Sequence, residues 1–339
     1  MKYISIFSLL AIMSVVILTS CSVKPTPKAP ITIFSSCTSD ECRERYYADL
    51  VGEEGINAAF SDLKEKYQND SQVRAYCHQF THVIGRTAAE LYPNVTSAFE
   101  KGDSFCWSGY YHGVMETLLS KEPIQSIPEK INVICSGISG KVNYSFDYYN
   151  CVHGLGHGIM FVNANELFDA LKMCEHMNGS WEQQSCASGA FMENVMVDNR
   201  NHFTKYLKPD KPFYPCTVVS EKWKSSCYLM QTSYVLKISN YNFSSVFEVC
   251  EQAGQYADIC YRSLGRDASG NSVSNIEQTK ATCLLGKNEI QQSNCVIGAV
   301  KDFISYHHSD TQAKQLCAVL PQNLQQTCYS SAEEYYKRF

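Results

Sequence analysis

Seventeen cysteines restrict the fold of this 339-residue chain more than any other sequence feature. Sixteen of them lie from residue 37 onward, and an even number is typical of a disulfide framework in an exported protein. The alternative, thiolates binding zinc, is disfavoured because the chain has no CxxC pair. Six successive pairs are 10 to 16 residues apart, which predicts the bridges Cys135 with Cys151, Cys174 with Cys186, Cys216 with Cys227, Cys250 with Cys260, Cys283 with Cys295, and Cys317 with Cys328. Connectivity among Cys37, Cys42, Cys77 and Cys106 stays open.

The second cysteine of each pair marks an internal repeat. Successive marker cysteines, from Cys77 to Cys328, are 33 to 45 residues apart, with one interval of 29, which is typical of helical-hairpin repeats. An apolar-periodic segment ends near one cysteine, a polar turn follows, and the next cysteine opens a second segment. We therefore predict an all-α fold in which disulfides staple successive hairpins into an α-solenoid or αα-toroid with a concave face.

The first twenty residues, MKYISIFSLLAIMSVVILTS, have one lysine followed by a long apolar run, which is typical of a signal peptide. The ending Leu18-Thr19-Ser20-Cys21 resembles the lipobox of bacterial lipoproteins. The resemblance implies cleavage before Cys21, acylation of that cysteine, and anchoring to the lipid bilayer of the cell envelope, in the outer membrane if the host is Gram-negative. Residues 21–36 contain three closely spaced prolines and predict a semi-stiff tether, and residues 37–339 form the repeat domain.

The formal charge of the whole chain is −5, and loss of Lys2 with the signal peptide makes it −6. No long run of either sign is present, so nucleic acid is excluded as an expected partner. An envelope protein or a glycan at the concave face is the expected alternative, in addition to lipid.

Glycines recur three and seven residues after several marker cysteines, at Gly109, Gly113, Gly154, Gly158 and others. On a helix these positions share the side of the cysteine, where small residues allow two backbones to approach closely. We therefore interpret them as a packing seam in preference to ligand contacts.

Five of the nine histidines stand in three motifs with helical i, i+4 spacing. These are His78 with His82, His112 with Glu116, and His153 with His157. Each motif places two metal-binding side chains on one helix face. Residues 37–200 carry all three motifs, whereas residues 201–339 keep the cysteine repeat without them.

The helical register tests whether these side chains point to a common centre. His112, His153 and His157 project together, at about 200 to 240° from their cysteines, and Glu116 at about 280° can join them. His78 and His82 project at about 100 to 140°, so they join only if their helix is rotated. Glu193 falls on the glycine side and is a weaker candidate.

The motifs predict a zinc, iron, manganese or copper site in one centre or two adjacent ones. The first interpretation is an envelope lipoprotein whose metal, if catalytic, activates water or dioxygen. The alternatives are a non-catalytic scaffold or binding solenoid, and a protein of metal storage or delivery. Sequence patterns alone do not decide whether the chain is an enzyme, since no other catalytic motif is present.

Overall fold

A computed structural model describes residues 33–196 and 204–339, and within these ranges the regular structure is entirely helical. The predicted all-α class is therefore confirmed. The helices are α1 (Asp40–Glu54), α2 (Ile56–Asn69), α3 (Ser71–Leu91), α4 (Val95–Phe99), α5 (Gly109–Ser120), α6 (Ile127–Ile134), α7 (Phe146–Val162), α8 (Leu167–Cys174), α9 (Ser180–Val195), α10 (Glu221–Ile238), α11 (Phe243–Glu251), α12 (Ala257–Asn271), α13 (Ile276–Cys283), α14 (Glu289–His307), α15 (Thr311–Val319) and α16 (Gln322–Tyr336). Short 3₁₀ helices cover Phe34–Ser36, Ile124–Ser126 and Gly254–Tyr256.

From α2 onward the helices alternate between a shorter first member and a longer second member of each hairpin, except that α10 follows α9 without a helical first member. The second members, α3, α5, α7, α9, α10, α12, α14 and α16, pack on one another in that order and form a continuous inner row. Thr32–Phe339 is one compact unit. The helical-hairpin repeat inferred from the cysteines is thus present, and the inner row carries every histidine motif.

Six disulfides join the two members of a repeat, as the spacing predicted. They are Cys135–Cys151, Cys174–Cys186, Cys216–Cys227, Cys250–Cys260, Cys283–Cys295 and Cys317–Cys328. Their Cα atoms are 5.4 to 5.9 Å apart, within the ordinary range for a disulfide. Each bridge ties the end of one chain segment to the first two turns of the next inner helix.

The two pairings that the sequence left open are Cys37–Cys42 and Cys77–Cys106. Cys37–Cys42 closes a short loop at the start of α1. Cys77 lies in α3, whereas Cys106 precedes α5, so their bridge joins one inner helix to the segment that leads into the next. This bridge differs from the hairpin staples, and the difference matters for the orientation of α3.

The inner helices begin earlier than the sequence pattern indicated. In α7 and α14 the marker cysteine is the sixth or seventh residue, because Ser145 and Asn288 accept hydrogen bonds from the backbone N–H groups of Tyr148 and Gln291 and thereby cap the helix. The repeat containing Cys216 also departs from the expected hairpin. Pro209, Pro212 and Pro215 interrupt its first segment, and no α-helix forms between 204 and 219.

The array folds back so that its last repeats contact its first ones. Ser104, before α5, donates a hydrogen bond of 3.0 Å to the carbonyl of Ser305 in α14. The Phe146 N–H at the start of α7 donates to the Arg338 carbonyl at 2.9 Å, and the Phe146 ring stacks on Phe339. These contacts bring the C-terminal helices beside the helices that carry the histidines.

The predicted signal peptide and Cys21 lie outside the described residues, as does most of the tether. Within the residues that are described, no helix has both the length and the apolar character needed to cross a membrane. Membrane attachment therefore remains a prediction from the N-terminal sequence.

Candidate metal centre

The five motif histidines lie on three consecutive inner helices. α3 carries His78 and His82, α5 carries His112, and α7 carries His153 and His157. All five side chains are buried, with exposed fractions of 6% or less. Burial of so many imidazoles in one region requires that their ring nitrogens be hydrogen bonded or bound to a cation.

Glycines bring the histidine-bearing helices close together. A Cβ at Gly113 in α5 would lie 2.0 Å from the carbonyl oxygen of His82, and a Cβ at Gly189 in α9 would lie 1.9 Å from that of His153. Only glycine permits such approaches. The predicted packing seam is therefore present, and it sets the spacing of the cluster.

Gly154 and Gly158 face α5, as expected for the seam, and Gly156 faces α9 instead. A Cβ at Gly156 would lie 2.0 Å from the Cys186 carbonyl oxygen. The three glycines of α7 thus serve two neighbouring helices, a division that the three-and-seven pattern did not indicate.

The histidines of each HxxxH motif point their Nε2 atoms at one another. The Nε2 atoms of His78 and His82 are 3.0 Å apart, and those of His153 and His157 are 3.2 Å apart. An ion bound at the usual zinc–nitrogen distance of about 2.0–2.1 Å holds neighbouring ligand nitrogens about 2.9–3.4 Å apart. Both pairs already have the separation of two ligands on one ion.

The Nδ1 atoms of these four rings are occupied on the opposite side. His78 Nδ1 donates to the Cys106 carbonyl at 2.8 Å, and His153 Nδ1 is 2.9 Å from Ser188 Oγ. His82 and His157 direct Nδ1 to the carboxylates of Glu116 and Glu193, at 2.6 Å in both cases. Carbonyl and carboxylate oxygens only accept, so Nδ1 of His78, His82 and His157 carries the hydrogen and their Nε2 atoms present lone pairs. Ser188 Oγ donates to the Ser185 carbonyl at 2.7 Å, so it accepts from His153 Nδ1, and His153 Nε2 presents a lone pair as well.

Two lone pairs facing each other at this distance repel unless they share a cation. A proton is disfavoured, because burial and the neighbouring His82 lower the pKa of His78 to about 3. Burial, followed by His157, also lowers the pKa of both His112 and His153 well below the ordinary value. Burial lowers the pKa of His157 as well, although Glu193 opposes the shift. Neutral imidazoles are the form that binds metals.

His112 lies between the two pairs. Its ligand atom is within 4.8 Å of those of His78 and His82, and also within 4.8 Å of those of His153 and His157. Its Nδ1 is buried and has no hydrogen-bond partner. A buried polar atom without a partner costs about 1–3 kcal/mol, so a ligand at this atom would relieve a penalty.

The predicted residues therefore fall into two groups. His78, His82, His112, His153 and His157 present nitrogen atoms to a common region, and together they form what we term the histidine cluster. Glu116 lies behind His82 instead of among the ligand nitrogens, since its second oxygen accepts a hydrogen bond of 2.8 Å from Arg86. Burial raises the pKa of Glu116, but His82 and Arg86 outweigh it and hold that pKa at about 2.

His78 and His82 join the cluster because α3 is rotated relative to the other inner helices. Cys77 bridges forward to Cys106 instead of back to a preceding helix, so the angle from the cysteine has a different reference in α3. Glu193, the weaker sequence candidate, occupies at His157 the role that Glu116 has at His82.

Three residues that contact the histidine cluster were not predicted from the HxxxH and HxxxE motifs. Met192 Sδ lies 3.4 Å from His153 Nε2, and the Tyr149 hydroxyl lies 3.2 Å from His153 Nδ1. Ser188, on the same face of α9 as Met192, is the third. The sequence clue available in retrospect is the spacing of Ser188 and Met192, four residues apart like the histidines.

The two overlapping histidine triads are the groups of potential metal ligands found in residues 33–196 and 204–339. His307 and His308 do not join them, and His308 instead contacts Ser104. Comparison with known proteins finds no matching family model, no matching curated protein and no matching solved structure.

Proposed function

We propose that the histidine cluster binds two transition-metal ions, one at each HxxxH pair, and that His112 serves both. The observation that carries this proposal is the convergence of two pairs of Nε2 lone pairs, at 3.0 and 3.2 Å, while the four Nδ1 atoms are engaged elsewhere. A metal-bound histidine is usually oriented by its other ring nitrogen, the one that does not bind the metal, which donates a hydrogen bond to a carboxylate or a carbonyl.

The ligand set favours borderline metals. Imidazole suits zinc, copper, iron and nickel, whereas magnesium, calcium and manganese prefer oxygen ligands. Both nearby carboxylates are occupied by histidine Nδ1 atoms, so the first atoms met by an ion are nitrogens. Met192 adds a thioether beside His153, which favours copper at that pair.

The number of ligands supports a chemical role. Each triad offers three nitrogens, and a tetrahedral ion with three protein ligands keeps a position for water or another small molecule. We propose that ions at this site activate water or dioxygen, by lowering the pKa of bound water or by binding oxygen directly. Burial of the cluster favours reactants of this size over larger ones.

Metal storage or delivery is the second candidate, and a specific observation favours it. The ligand rings are almost fully buried, and the Met192 thioether is a soft ligand of the kind that holds copper(I). Turnover separates the two functions, since storage requires metal exchange without a chemical product. A scaffold function predicts no metal at all.

The deciding experiment is elemental analysis of protein that has been exported, oxidised and purified without added metal. We expect about two zinc, copper or iron atoms per chain, and the loss of both in a His112→Ala/His157→Ala variant. His176→Ala is the matched control, because His176 is exposed and outside the cluster. Fewer than about 0.1 metal atoms per chain in the parent, or an unchanged content in the double variant, would refute metal binding.

We also propose that the protein is anchored to the cell envelope through acylated Cys21. The lipobox resemblance supports this location, and the eight disulfides support an oxidising compartment. Incorporation of radiolabelled palmitate, abolished by Cys21→Ala, is the expected result. Equal labelling of parent and variant would contradict acylation at this residue.

A further inference from the structure

A cavity of about 240 Å³ opens between α12, α14 and α16, well separated in sequence from the histidine motifs. Three basic side chains converge on it, one from α12, one from α14 and one from the turn that follows α16, together with hydroxyl groups and one carboxylate. The residues that define this basic cavity are Arg262, Lys301, Ser331, Glu334, Tyr335 and Arg338.

The positive charges of the basic cavity outnumber the negative ones. In the part of the chain that the structure describes, no carboxylate lies within 4.0 Å of Arg262, Lys301 or Arg338. Glu334 is the single acidic residue of the lining, so three positive charges and one negative charge leave the cavity at +2. The whole chain is acidic at −5, which makes this local excess of positive charge a distinct feature.

The basic groups are held near one another by neutral partners. Arg262 Nε donates to Asn294 Oδ1 at 2.7 Å, which orients its guanidinium. The Lys301 ammonium and the Arg338 guanidinium are each 5.7 Å from the centre of the Tyr335 ring. Desolvation by the neighbouring side chains, followed by the charges of Arg262 and Arg338, lowers the pKa of Lys301, although Glu334 opposes the shift. The three cations therefore repel one another, and an anion between them would remove that repulsion.

We propose that the basic cavity is a binding site for a small oxyanion, either a phosphate or a carboxylate, free or as part of a small molecule. Two guanidinium groups provide planar, forked donors that match both oxyanions, and Lys301 provides a point charge. Ser331 adds a hydroxyl donor. The volume of the cavity corresponds to about eight water molecules at about 30 Å³ each, which suits a ligand of the size of phosphate or citrate.

The basic cavity and the histidine cluster share a neighbour, Tyr149. Its hydroxyl is 3.2 Å from His153 Nδ1. Burial raises the pKa of Tyr149, and Ser188, Arg266 and then Arg338 oppose that rise. The contact between Phe146 and Arg338 fixes the start of α7 against the end of α16.

Titration calorimetry on the full, oxidised protein tests this site, with inorganic phosphate and citrate as the probes at low ionic strength. We expect saturable binding of at least one probe, in the presence or absence of metal. A Lys301→Gln/Arg338→Gln variant should bind about tenfold more weakly or worse, because two charge-assisted contacts are lost. Lys172→Gln is the control, since Lys172 is 74% exposed on α8 and pairs with Asp169.

Other outcomes would overturn the proposal. Absence of binding for both probes excludes an oxyanion site, and equal affinity of the double variant excludes this location. Binding to vesicles of phosphatidylglycerol, with none to phosphate or citrate, would show a lipid surface as the source of the anion. Lys301→Gln alone is measured alongside, because it leaves α16 intact if the double variant fails to fold. Metal content is determined separately, so a failure of the metal proposal does not affect this result.

Discussion

The His112 ring stacks on the His157 ring, with centroids 3.7 Å apart and planes within 10° of parallel. Such stacking suits two neutral imidazoles and disfavours two charged ones. The contact places His112 of α5 directly over a ligand candidate of α7, while it remains 5.3 Å from the rings of both His78 and His82. His112 is therefore the one residue that belongs to both histidine triads.

His112→Ala should weaken metal binding at both pairs. The substitution removes the one residue that belongs to both triads, with both of its ring nitrogens, and we expect a loss greater than the roughly 10–100-fold typical of outer hydrogen-bond partners. Competition with a chromogenic chelator measures the two affinities. Loss of only one ion, with the other unchanged, would show that His112 belongs to one triad alone.

Glu193→Gln should reduce metal affinity without removing a ligand. The amide oxygen still accepts from His157 Nδ1, but the negative charge that makes the imidazole a stronger ligand is lost. We expect about 10–100-fold weaker binding, measured with the same chelator. Glu182→Gln on the same helix is the control, because Glu182 contacts Tyr148 and lies outside the cluster.

The metal-free protein should lose stability as the pH falls below about 6.5, the ordinary value for histidine. Burial lowers the pKa of four histidines, His78, His112, His153 and His157. Below pH 6.5 the unfolded chain therefore binds more protons than the folded chain does. The contribution of these histidines is complete above pH 6.5 and is lost as the pH falls toward the folded value, about 3 for His78. Urea unfolding at several pH values measures the slope, and a flat profile between pH 7 and 4 would contradict it.

The Asp302 carboxyl should change the pH dependence of stability in the opposite direction. Burial raises the pKa of this carboxyl to about 7, although Ser269 and then Arg266 oppose the shift, so the folded state holds a proton that the unfolded state releases. The contribution to stability is complete below about pH 4 and is lost as the pH rises to about 7. Relative to the parent, Asp302→Asn should gain stability between these values, by at most on the order of 4 kcal/mol. A pH-independent difference in unfolding free energy would exclude this explanation.

Gly189→Ala should disrupt both packing and metal binding, because the added Cβ would meet the His153 carbonyl and push α9 from α7. We expect a loss of about 1–3 kcal/mol in the free energy of unfolding, as for other overpacked cores, and weaker metal binding. Gly52→Ala is the control: a Cβ there meets nothing within 4 Å, so it should be neutral or stabilising by up to about 1 kcal/mol. Similar stability of the two variants would contradict the close approach.

The fold was predictable where the disulfide-forming cysteines recur at regular intervals along the sequence. Cysteine spacing was enough for six bridges and for the hairpin repeat, since ends of antiparallel neighbours lie within disulfide reach. It was insufficient for Cys77–Cys106, because a bridge between repeats has no characteristic spacing. It also did not reveal the irregular segment before Cys216, where prolines override the repeat pattern.

The candidate site was predictable as a set of histidines and less so as a geometry. The angle from the cysteine placed His112, His153 and His157 together, and it misplaced the role of Glu193, which reaches His157 from a different helix. The angle between two residues of one helix contains no information about how a neighbouring helix is rotated about its own axis. Roles that depend on contacts between helices, such as those of Glu116 and Met192, therefore needed the packed structure.

Helix α7 is buried without interruption from Asn150 to Met160, since it is enclosed by neighbours on both sides and carries no solvent face over that length. Most helices tolerate variation on one side, and this one has no such side. Its glycines contact both α5 and α9, and its histidines hydrogen bond to α9, so a compensating change would have to occur in two other helices at once. A comprehensive mutational scan should therefore show this segment as a continuous block of intolerance, unlike the periodic pattern of an ordinary amphipathic helix.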